Sequence, residues 1–337
     1  MIEFPGAKIN LGLYITEKRK DGFHNIATIF YPVPSSLSFS DSLEILPDLP
    51  ASKTPGGATL TEHLNQPFQS QLQLSAALQA KALPPLLDKA DRRSQPDTTT
   101  TAAFEVQGQP VQYSQSGLPI AGNIRDNLCI KAYSLLKKDF PKLPAIRMHL
   151  HKNIPMGGGL GGGSSDGASA LKMINRIGKL GLSTSQLLYY ATALGSDCPF
   201  FIDNQPAIGT GRGEILTPVQ LNLKGYHLVL INPGIHVPTS QAFAGIQPQP
   251  FQAQDALKTI SSKSPEHWRS VLENKFEPTV FSRFPAIQEV KEALYAKGAV
   301  YASMTGTGST VYGIFTQTLE CTTFNLPAHY RYFAAIL

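Results

Sequence analysis

The chain has 337 residues, of which 42% are hydrophobic and 16% charged. This composition excludes a largely disordered chain, and the length leaves room for two domains. The net charge of +5 suits an anionic small molecule, whereas no run of Lys and Arg is dense enough to indicate a nucleic-acid partner. No stretch approaches the roughly 18 apolar residues of a membrane span, and no N-terminal apolar stretch predicts a signal peptide.

The three cysteines, Cys129, Cys198 and Cys321, have neither the spacing of a metal site nor that of a close disulfide pair. We therefore expect a cytoplasmic protein with no membrane or nucleic-acid partner. Its partners would be small-molecule substrates, and it would be a monomer or a homodimer.

The chain begins with a predicted β-hairpin. Apolar and polar residues alternate in "AKINLGLYIT", Asp21-Gly22 supplies a turn, and "NIATIFYPV" predicts the returning strand. A third strand is predicted in "SLSFSDSLEIL". From about residue 48 to 101, Gln, Pro, Ser, Thr and Ala dominate, which predicts an inserted, mobile surface segment. Within it, "LQLSAALQAKAL" is compatible with a helix.

Strands and helices alternate irregularly in the rest of the chain. "NLCIKAYSLLKKDF" predicts an amphipathic helix and "AIRMHLHKN" a strand, and Ser183 with Gln186 forms a capping box for a later helix. Near the C-terminus, mostly helical sequence precedes two strands, "AVYASM" and "TVYGIF". Because no strict βαβ repeat appears, the pattern favours the α+β class.

A glycine-rich stretch, "PMGGGLGGGSSDGASAL" (155–171), follows a predicted strand and opens a predicted helix. Glycines allow backbone N–H groups to converge on phosphate oxygens at a helix N-terminus. The stretch lacks the lysine of a Walker motif, and no acidic residue follows about 20 positions later, as a dinucleotide-binding fold requires. It therefore predicts another kind of phosphate-binding loop; a flexible linker is the alternative.

Three stretches in order resemble the motifs of the galactokinase, homoserine, mevalonate and phosphomevalonate kinase superfamily. They are "AKINLGLYITEKRKDGFHNI", the glycine-rich stretch and "MTGTGSTVYGIF". "LGSDCPFFI", "GRGEILTPV" and "INPGIHVPTSQAF" are further similar to the branch that phosphorylates 4-diphosphocytidyl-2-C-methyl-D-erythritol. This resemblance implies transfer of the γ-phosphoryl of ATP to the 2-hydroxyl of that substrate, a step in non-mevalonate isoprenoid synthesis. Mg²⁺ is implied as a cofactor.

The resemblance also implies a two-domain α+β fold with the active site in the cleft between the domains. Residues 1–208 would form an N-terminal domain like a ribosomal small-subunit protein, carrying the insertion, and residues 209–337 a ferredoxin-like C-terminal domain. The sequence after Thr316 matches the family poorly.

The resemblance implies that Asp197 is the catalytic base and that Lys8 lies beside it. From the sequence alone, Asp197 is equally an N-cap for the turn that follows, and Lys8 and Asn10 lie on an exposed face of a strand. The resemblance places Asn10 beside the substrate.

The residues implied to bind ATP are those of the glycine-rich loop together with Asn127, which is alternatively an N-cap. The loop residues are Pro155, Met156, Gly157, Gly158, Gly159, Leu160, Gly161, Gly162, Gly163, Ser164 and Ser165. A serine hydroxyl, that of Ser165 or of Ser164, is the expected Mg²⁺ ligand. Thr305 to Ser309 would supply further backbone N–H groups, or would simply form a glycine hairpin. Asp166, where the family more often has Asn, is expected to face away from ATP.

The implied substrate-binding residues lie in two segments. Phe23, which replaces the tyrosine usual in the family, and His24 follow the hairpin turn. Pro238, Thr239 and Phe243 share a later loop, and Phe243 would stack on cytosine; ordinary helix packing is its alternative role.

Three other functions compete with this interpretation. A mevalonate or homoserine kinase would share the motifs, but His24 and Phe243 argue against it. An RNA-binding protein would need a basic stripe, and a dinucleotide-dependent oxidoreductase would need the missing acidic residue.

Overall fold

The computed structural model describes residues 1–35, 39–48, 99–243, 246, 248, 260 and 262–337. Nearly all of the predicted insertion, including its alternative helix, lies outside the described residues. Within the described part of the chain, no helix combines the length and apolar character needed to cross a membrane.

The described chain forms strands and helices in mixed order. The strands are β1 (Ile2–Glu3), β2 (Lys8–Lys18), β3 (His24–Pro32), β4 (Ser42–Pro47), β5 (Thr100–Val106), β6 (Gln109–Gly117), β7 (Ile146–Lys152), β8 (Ala207–Thr210), β9 (Ile215–Pro218), β10 (His227–Asn232), β11 (Tyr301–Met304), β12 (Val311–Phe315) and β13 (Arg331–Ile336). The α-helices are α1 (Leu128–Asp139), α2 (Gly162–Ile177), α3 (Thr184–Leu194), α4 (Phe200–Asp203), α5 (Thr239–Phe243), α6 (Glu277–Arg283) and α7 (Pro285–Ala296). Three 3₁₀ turns, at Ile124–Asp126, Pro265–Ser270 and Cys321–Phe324, complete the set.

The first sheet has five strands in the order β1-β4-β7-β6-β5. β6 and β7 are parallel, and α1 makes the crossover between them. Alternate residues of β4, such as Leu43 and Ile45, are buried beneath α1, α2 and α3. The predicted capping box of Ser183 and Gln186 is present at the start of α3. This sheet and its helices hold the strand and the helix that flank the glycine-rich loop.

The second sheet has the order β2-β3-β8-β9 and is antiparallel throughout. It contains the predicted N-terminal hairpin. Because β8 and β9 extend this hairpin, the sheet continues to Pro218, and the predicted domain boundary at residue 208 falls inside β8.

The third sheet has the order β11-β12-β10-β13, all antiparallel. It shares a buried core with the second sheet, since Ile9 and Ile29 lie in one apolar cluster with Leu230 and Ile314. Backbone hydrogen bonds also join the two units, because the Leu13 N–H donates to the Glu273 carbonyl at 2.8 Å.

The sequence predicted most of the elements around the glycine-rich loop and missed several strands. β2, β3, β4, β7, β11, β12 and the helices α1, α2 and α3 lie where the patterns placed them. β1, β6, β8, β9 and β13 were not predicted, because each lies in polar or mixed sequence whose strand character comes from its neighbours in a sheet. The exposed strand face considered for Lys8 and Asn10 is wrong: their exposed fractions are 3% and 2%.

Candidate active site

The glycine-rich loop lies between the end of β7 and the start of α2. Gly157, Gly159 and Gly161 have φ angles of +66°, +75° and +71°, which other residues rarely adopt. Gly161 is the N-cap of α2 and provides no side-chain cap. The first N–H groups of this helix are therefore left to a ligand, and the helix dipole favours an anionic one.

A cavity of about 330 Å³ lies over this loop. Residues 155–164 line one side, and Ile120, Asn123 and Asn127 line the other. The volume is in the range of small-molecule sites in proteins.

The loop between β11 and β12 packs directly on the glycine-rich loop. A Cβ on Gly159 would overlap the carbonyl oxygen of Thr305, and one on Gly306 would lie 3.0 Å from Gly159 Cα. The Thr305 hydroxyl lies 3.0 Å from the Gly159 carbonyl oxygen, and the Thr310 N–H donates to the Gly158 carbonyl. Glycine is thus required here for the close approach of two backbones.

Lys8 and Asp197 form an ion pair at the edge of the glycine-rich loop. Lys8 Nζ lies 3.5 Å from Asp197 Oδ2, and the two side chains are 4% and 32% exposed. The same ammonium group donates to the Gly159 carbonyl at 2.9 Å and to Asn10 Oδ1 at 2.6 Å. Burial lowers the pKa of Lys8, and the charge of Asp197 partly opposes this shift.

Asp197 lies in the turn before α4, and it does not cap that helix. Pro199 occupies the N-cap position of α4, and no side-chain cap bond is present there. One carboxylate that is one-third exposed, beside a buried ammonium group, is a suitable arrangement for accepting a proton from a substrate hydroxyl.

Asn10 is held by its neighbours on every side. Its Nδ2 donates to Thr28 Oγ1 at 3.0 Å, and its Oδ1 accepts from Lys8 and lies 3.2 Å from Thr305 Oγ1. Its backbone N–H donates to the same Thr305 hydroxyl. The side chain therefore positions Lys8 and joins β2 to the loop after β11.

Asn127 borders the cavity and caps α1. Its Oδ1 accepts from the Cys129 N–H at 2.9 Å, and its Nδ2 donates to the Tyr113 hydroxyl at 2.8 Å. The N-cap role considered for Asn127 is present, and its side chain still reaches the cavity wall.

The two serines after the glycines point to different environments. Ser164 lines the cavity and is half-buried, whereas Ser165 is 2% exposed. Of the two, Ser164 is the one that lines the cavity. Asp166 is also 2% exposed; it borders the cavity, and its carboxylate is paired to Lys152 at 2.7 Å.

His24 and Phe243 come together although 219 positions separate them in the sequence. Their rings stack with centroids 4.7 Å apart and an interplanar angle of 21°. Phe243 also packs edge-on against Phe276. Phe23 is 55% exposed, and the Arg212 guanidinium lies 5.3 Å from its ring centre. His24, Phe243 and Phe276 form an aromatic corner, and Phe23, the neighbour of His24 in the chain, is exposed to solvent.

Pro238 and Thr239 lie at the start of α5, whose Gln241 and Ala242 N–H groups donate to the Pro238 carbonyl. Thr239 is exposed. Sequence analysis missed Asn274, whose Nδ2 donates to the carbonyls of Met304 and Gly306 and so fixes the loop after β11. A single buried asparagine in helical sequence has no recognisable pattern.

Comparisons with known proteins show the family of the chain. The model of the GHMP kinase N-terminal domain matches residues 127–212, and that of the GHMP kinase C-terminal domain matches residues 253–320. Curated 4-diphosphocytidyl-2-C-methyl-D-erythritol kinases are similar over nearly the whole chain. The one from Bacteroides fragilis (strain YCH46) is 39% identical, covering 97% of each chain, and the one from Bacteroides thetaiotaomicron is 41% identical, covering 94% of this chain and 92% of its own.

The chain belongs to the 4-diphosphocytidyl-2-C-methyl-D-erythritol kinase family of the GHMP kinases. A solved 4-(cytidine 5'-diphospho)-2C-methyl-D-erythritol kinase has a TM-score of 0.62 at 24% identity, covering 93% of this chain and 90% of its own. The homoserine kinase of Cytophaga hutchinsonii has a TM-score of 0.58 at 12% identity, covering 98% and 94%. These two likenesses concern the fold, which kinases of different substrates share. Within this GHMP kinase, the glycine-rich loop and Asp197 both fall in the matched N-terminal domain.

Proposed function

We propose that this chain transfers the γ-phosphoryl group of ATP to the 2-hydroxyl of 4-diphosphocytidyl-2-C-methyl-D-erythritol, a step in the non-mevalonate route to isoprenoid precursors. The observation that carries the proposal is the Lys8–Asp197 ion pair against the glycine-rich loop, in a chain 39–41% identical to curated kinases of that substrate. A phosphate-binding loop and a carboxylate beside an ammonium group are the parts that phosphoryl transfer to an alcohol needs.

In this proposal, Asp197 accepts the proton of the 2-hydroxyl as the oxygen attacks phosphorus. Lys8 pairs with the Asp197 carboxylate and stabilises the alkoxide that develops. Lys8 is itself fixed by Asn10 and the Gly159 carbonyl, so little reorganisation is needed when the hydroxyl arrives. The N–H groups of the glycine-rich loop and of the first turn of α2 hold the triphosphate.

The residues at this site fit Mg²⁺ bound together with nucleotide. The hydroxyl of Ser164 would hold it, and Asp197 would stay free to accept the substrate proton. Among the described residues, no group of three or more His, Cys, Asp or Glu is placed to bind a metal by itself. Mg²⁺ bound with a nucleotide usually takes much of its shell from phosphates and water. When bound, it supplies neutralisation of phosphate charge.

The aromatic corner would receive the cytidine end of the substrate. The His24 and Phe243 rings are 4.7 Å apart, which leaves no room for a base between them, so cytosine would stack on an outer ring face or displace one ring. The exposed ring of Phe23 offers a further face. Compared with the tyrosine usual in the family, Phe23 lacks the hydroxyl contact but keeps the stacking surface.

We also infer the finer description of the fold. Read from one edge, the strands of the third sheet lie in the order β13-β10-β12-β11, that is, the fourth, first, third and second of the four in chain order. This order supports a ferredoxin-like C-terminal domain. The N-terminal domain would be ribosomal-protein-like, and the boundary would follow β9 rather than residue 208. The active site would lie in the cleft where the two meet, in a cytoplasmic monomer or homodimer that binds no nucleic acid.

The test is substrate choice. Purified protein with MgATP is offered 4-diphosphocytidyl-2-C-methyl-D-erythritol, mevalonate or homoserine in separate reactions, and ADP release is measured. We expect turnover with the first alone. Turnover of mevalonate or homoserine instead would overturn the substrate, and no turnover with any of the three would overturn the activity.

A further inference from the structure

Three buried charged residues lie at the base of the glycine-rich loop, and the proposed transfer does not use them. Lys152, the last residue of β7, pairs with Asp41 and with Asp166, which is the fifth residue of α2. The side chains of Lys152 and Asp41 are completely buried, and that of Asp166 is 3% exposed. Burying charges is costly unless each is paired and hydrogen-bonded. The hydrogen bonds of this charge cluster (Asp41, Lys152 and Asp166) therefore show which part of the backbone it holds in place.

Asp41 uses both of its carboxylate oxygens. Oδ1 accepts from the backbone N–H groups of Asn153 at 2.6 Å and Ile154 at 2.8 Å, and Oδ2 accepts from Lys152. These three residues lead directly from β7 into the glycine-rich loop. One side chain, placed just before β4, thus fixes the backbone at the entry to the loop.

Asp166 is bonded more simply. Its Oδ2 accepts from Lys152 at 2.7 Å, whereas its buried Oδ1 has no hydrogen-bond partner in the described part of the chain. Burial raises the pKa of Asp166 to about 8, with Lys152 opposing the shift and Asp41 adding to it. A neutral side chain with one acceptor oxygen would therefore meet the needs of this position.

We propose that Asp41 is a positioning residue for ATP, because its two oxygens set the conformation in which the glycine-rich loop enters the nucleotide site. The inference rests on the proposed function only in naming ATP as the ligand of that loop. The ground is a difference in chemistry between the two acids. At position 41 both oxygens must accept, whereas at position 166 one oxygen suffices.

This difference supplies a matched pair of variants. Asp41→Asn and Asp166→Asn remove the same charge and keep the same shape. In Asp41→Asn the new NH₂ group must face either the Lys152 ammonium or the two backbone N–H groups, so one set of bonds is lost in either orientation. In Asp166→Asn the amide oxygen can still accept from Lys152.

The experiment measures binding of a non-hydrolysable ATP analogue to the full-length variants by calorimetry, and the KM of each substrate. For Asp41→Asn we expect the Kd of the analogue and the KM of ATP to rise at least tenfold, with the KM of the acceptor substrate within twofold. Asp166→Asn should keep the Kd within threefold of the wild-type value. Equal effects of the two variants, or a Kd within threefold in Asp41→Asn, would overturn the proposal.

A third variant covers the case in which Asp41→Asn does not fold. In Asp41→Asn/Lys152→Met/Asp166→Asn the cluster is neutral, so the amide oxygen at position 41 is free to accept from Asn153 and Ile154 while its NH₂ group donates to the amide at position 166. We expect this variant to fold and to bind the analogue within fivefold of wild type. A folded variant that binds at least tenfold more weakly would refute the role of these two backbone bonds. Since analogue binding needs no acceptor substrate, failure of the proposed substrate would leave this test intact.

Discussion

Asp197 and Lys8 carry the chemical step proposed for this kinase, and their roles separate in mutants. Asp197→Asn keeps the shape of the side chain but cannot accept a proton. We expect kcat to fall by about 10²- to 10⁴-fold, the usual effect of losing a general base. The Kd values of both substrates should stay within a few-fold, because the proton moves only during transfer. Steady-state kinetics and calorimetry measure the two effects.

The control for this prediction is stability. Because Asp197 does not cap α4, Asp197→Asn should leave the melting temperature nearly unchanged. Lys8→Met should also lower kcat, and the double variant should be little worse than the worse single one, since the pair acts as a unit. An Asp197→Asn enzyme that retains more than about a third of wild-type kcat would contradict the catalytic role.

Phe243 is expected to bind the cytidine end of the substrate. Phe243→Ala removes a ring that stacks on His24 at 4.7 Å, and we expect acceptor binding to weaken by about 1–3 kcal/mol, the range for base–aromatic stacking. The KM of ATP serves as the internal control and should hardly change. An equal loss for ATP and the acceptor would assign Phe243 to packing against Phe276 instead.

At the scale of elements, the contact between two loops gives the glycine-rich loop its shape. In Gly159→Ala the new Cβ would overlap the Thr305 carbonyl oxygen, and the residue would also keep a φ of +75°. Gly108 has a φ of +74° with nothing within 4 Å of its Cβ position, so Gly108→Ala isolates the cost of the backbone conformation.

We expect Gly108→Ala to cost about 1–2 kcal/mol of unfolding free energy. Gly159→Ala should cost about 3–5 kcal/mol, because the overlap adds to the backbone strain. Denaturant unfolding measures both values. Similar costs for the two variants would mean that the loop after β11 moves aside freely and does not fix the glycine-rich loop.

The sequence predicted these elements better than it predicted their contacts. The strand–glycine–helix order predicted the place of the glycine-rich loop between β7 and α2, because local conformation and helix capping depend on consecutive residues. The burial of Lys8 and Asn10 beneath the loop after β11 depends on residues almost 300 positions apart. The periodicity of a local stretch of sequence cannot predict such a contact. The charge cluster was missed for the same reason: Asp41, Lys152 and Asp166 meet only after β4, β7 and α2 have packed.

At the scale of the whole molecule, the second and third sheets share one apolar core. Residues of the hairpin, such as Leu11, pack with Leu228 and Tyr312 of the third sheet. The family resemblance implied two domains, but a shared core means that the two units stabilise each other. The site residues Lys8 and Thr305, one from each unit, are held together by this packing rather than by a flexible hinge.

The insertion is the part of the chain that composition sets apart from this core. The strand order of the first sheet places β5 three positions from β4, about 14 Å away. The two ends are also offset along the strand direction. Pro47 pairs with Ile146, which pairs with Val111 of β6, whereas Thr100 pairs with Gln115, four residues further along β6. This adds roughly 14 Å, for a total span of about 20 Å.

A Gly/Ser linker of about 15 residues has a mean span near 20 Å, so it can replace residues 49–98 without strain. Because this segment is poor in the apolar periodicity that builds a core, we expect the shortened chain to fold and to keep kcat and both KM values within threefold. Circular dichroism, melting temperature and ADP release measure the outcome. A second variant with a linker of about 25 residues controls for linker length, since longer flexible loops cost little extra free energy. If both variants are insoluble, or both lose tenfold or more in turnover, then the insertion is part of the folded structure or of the active site.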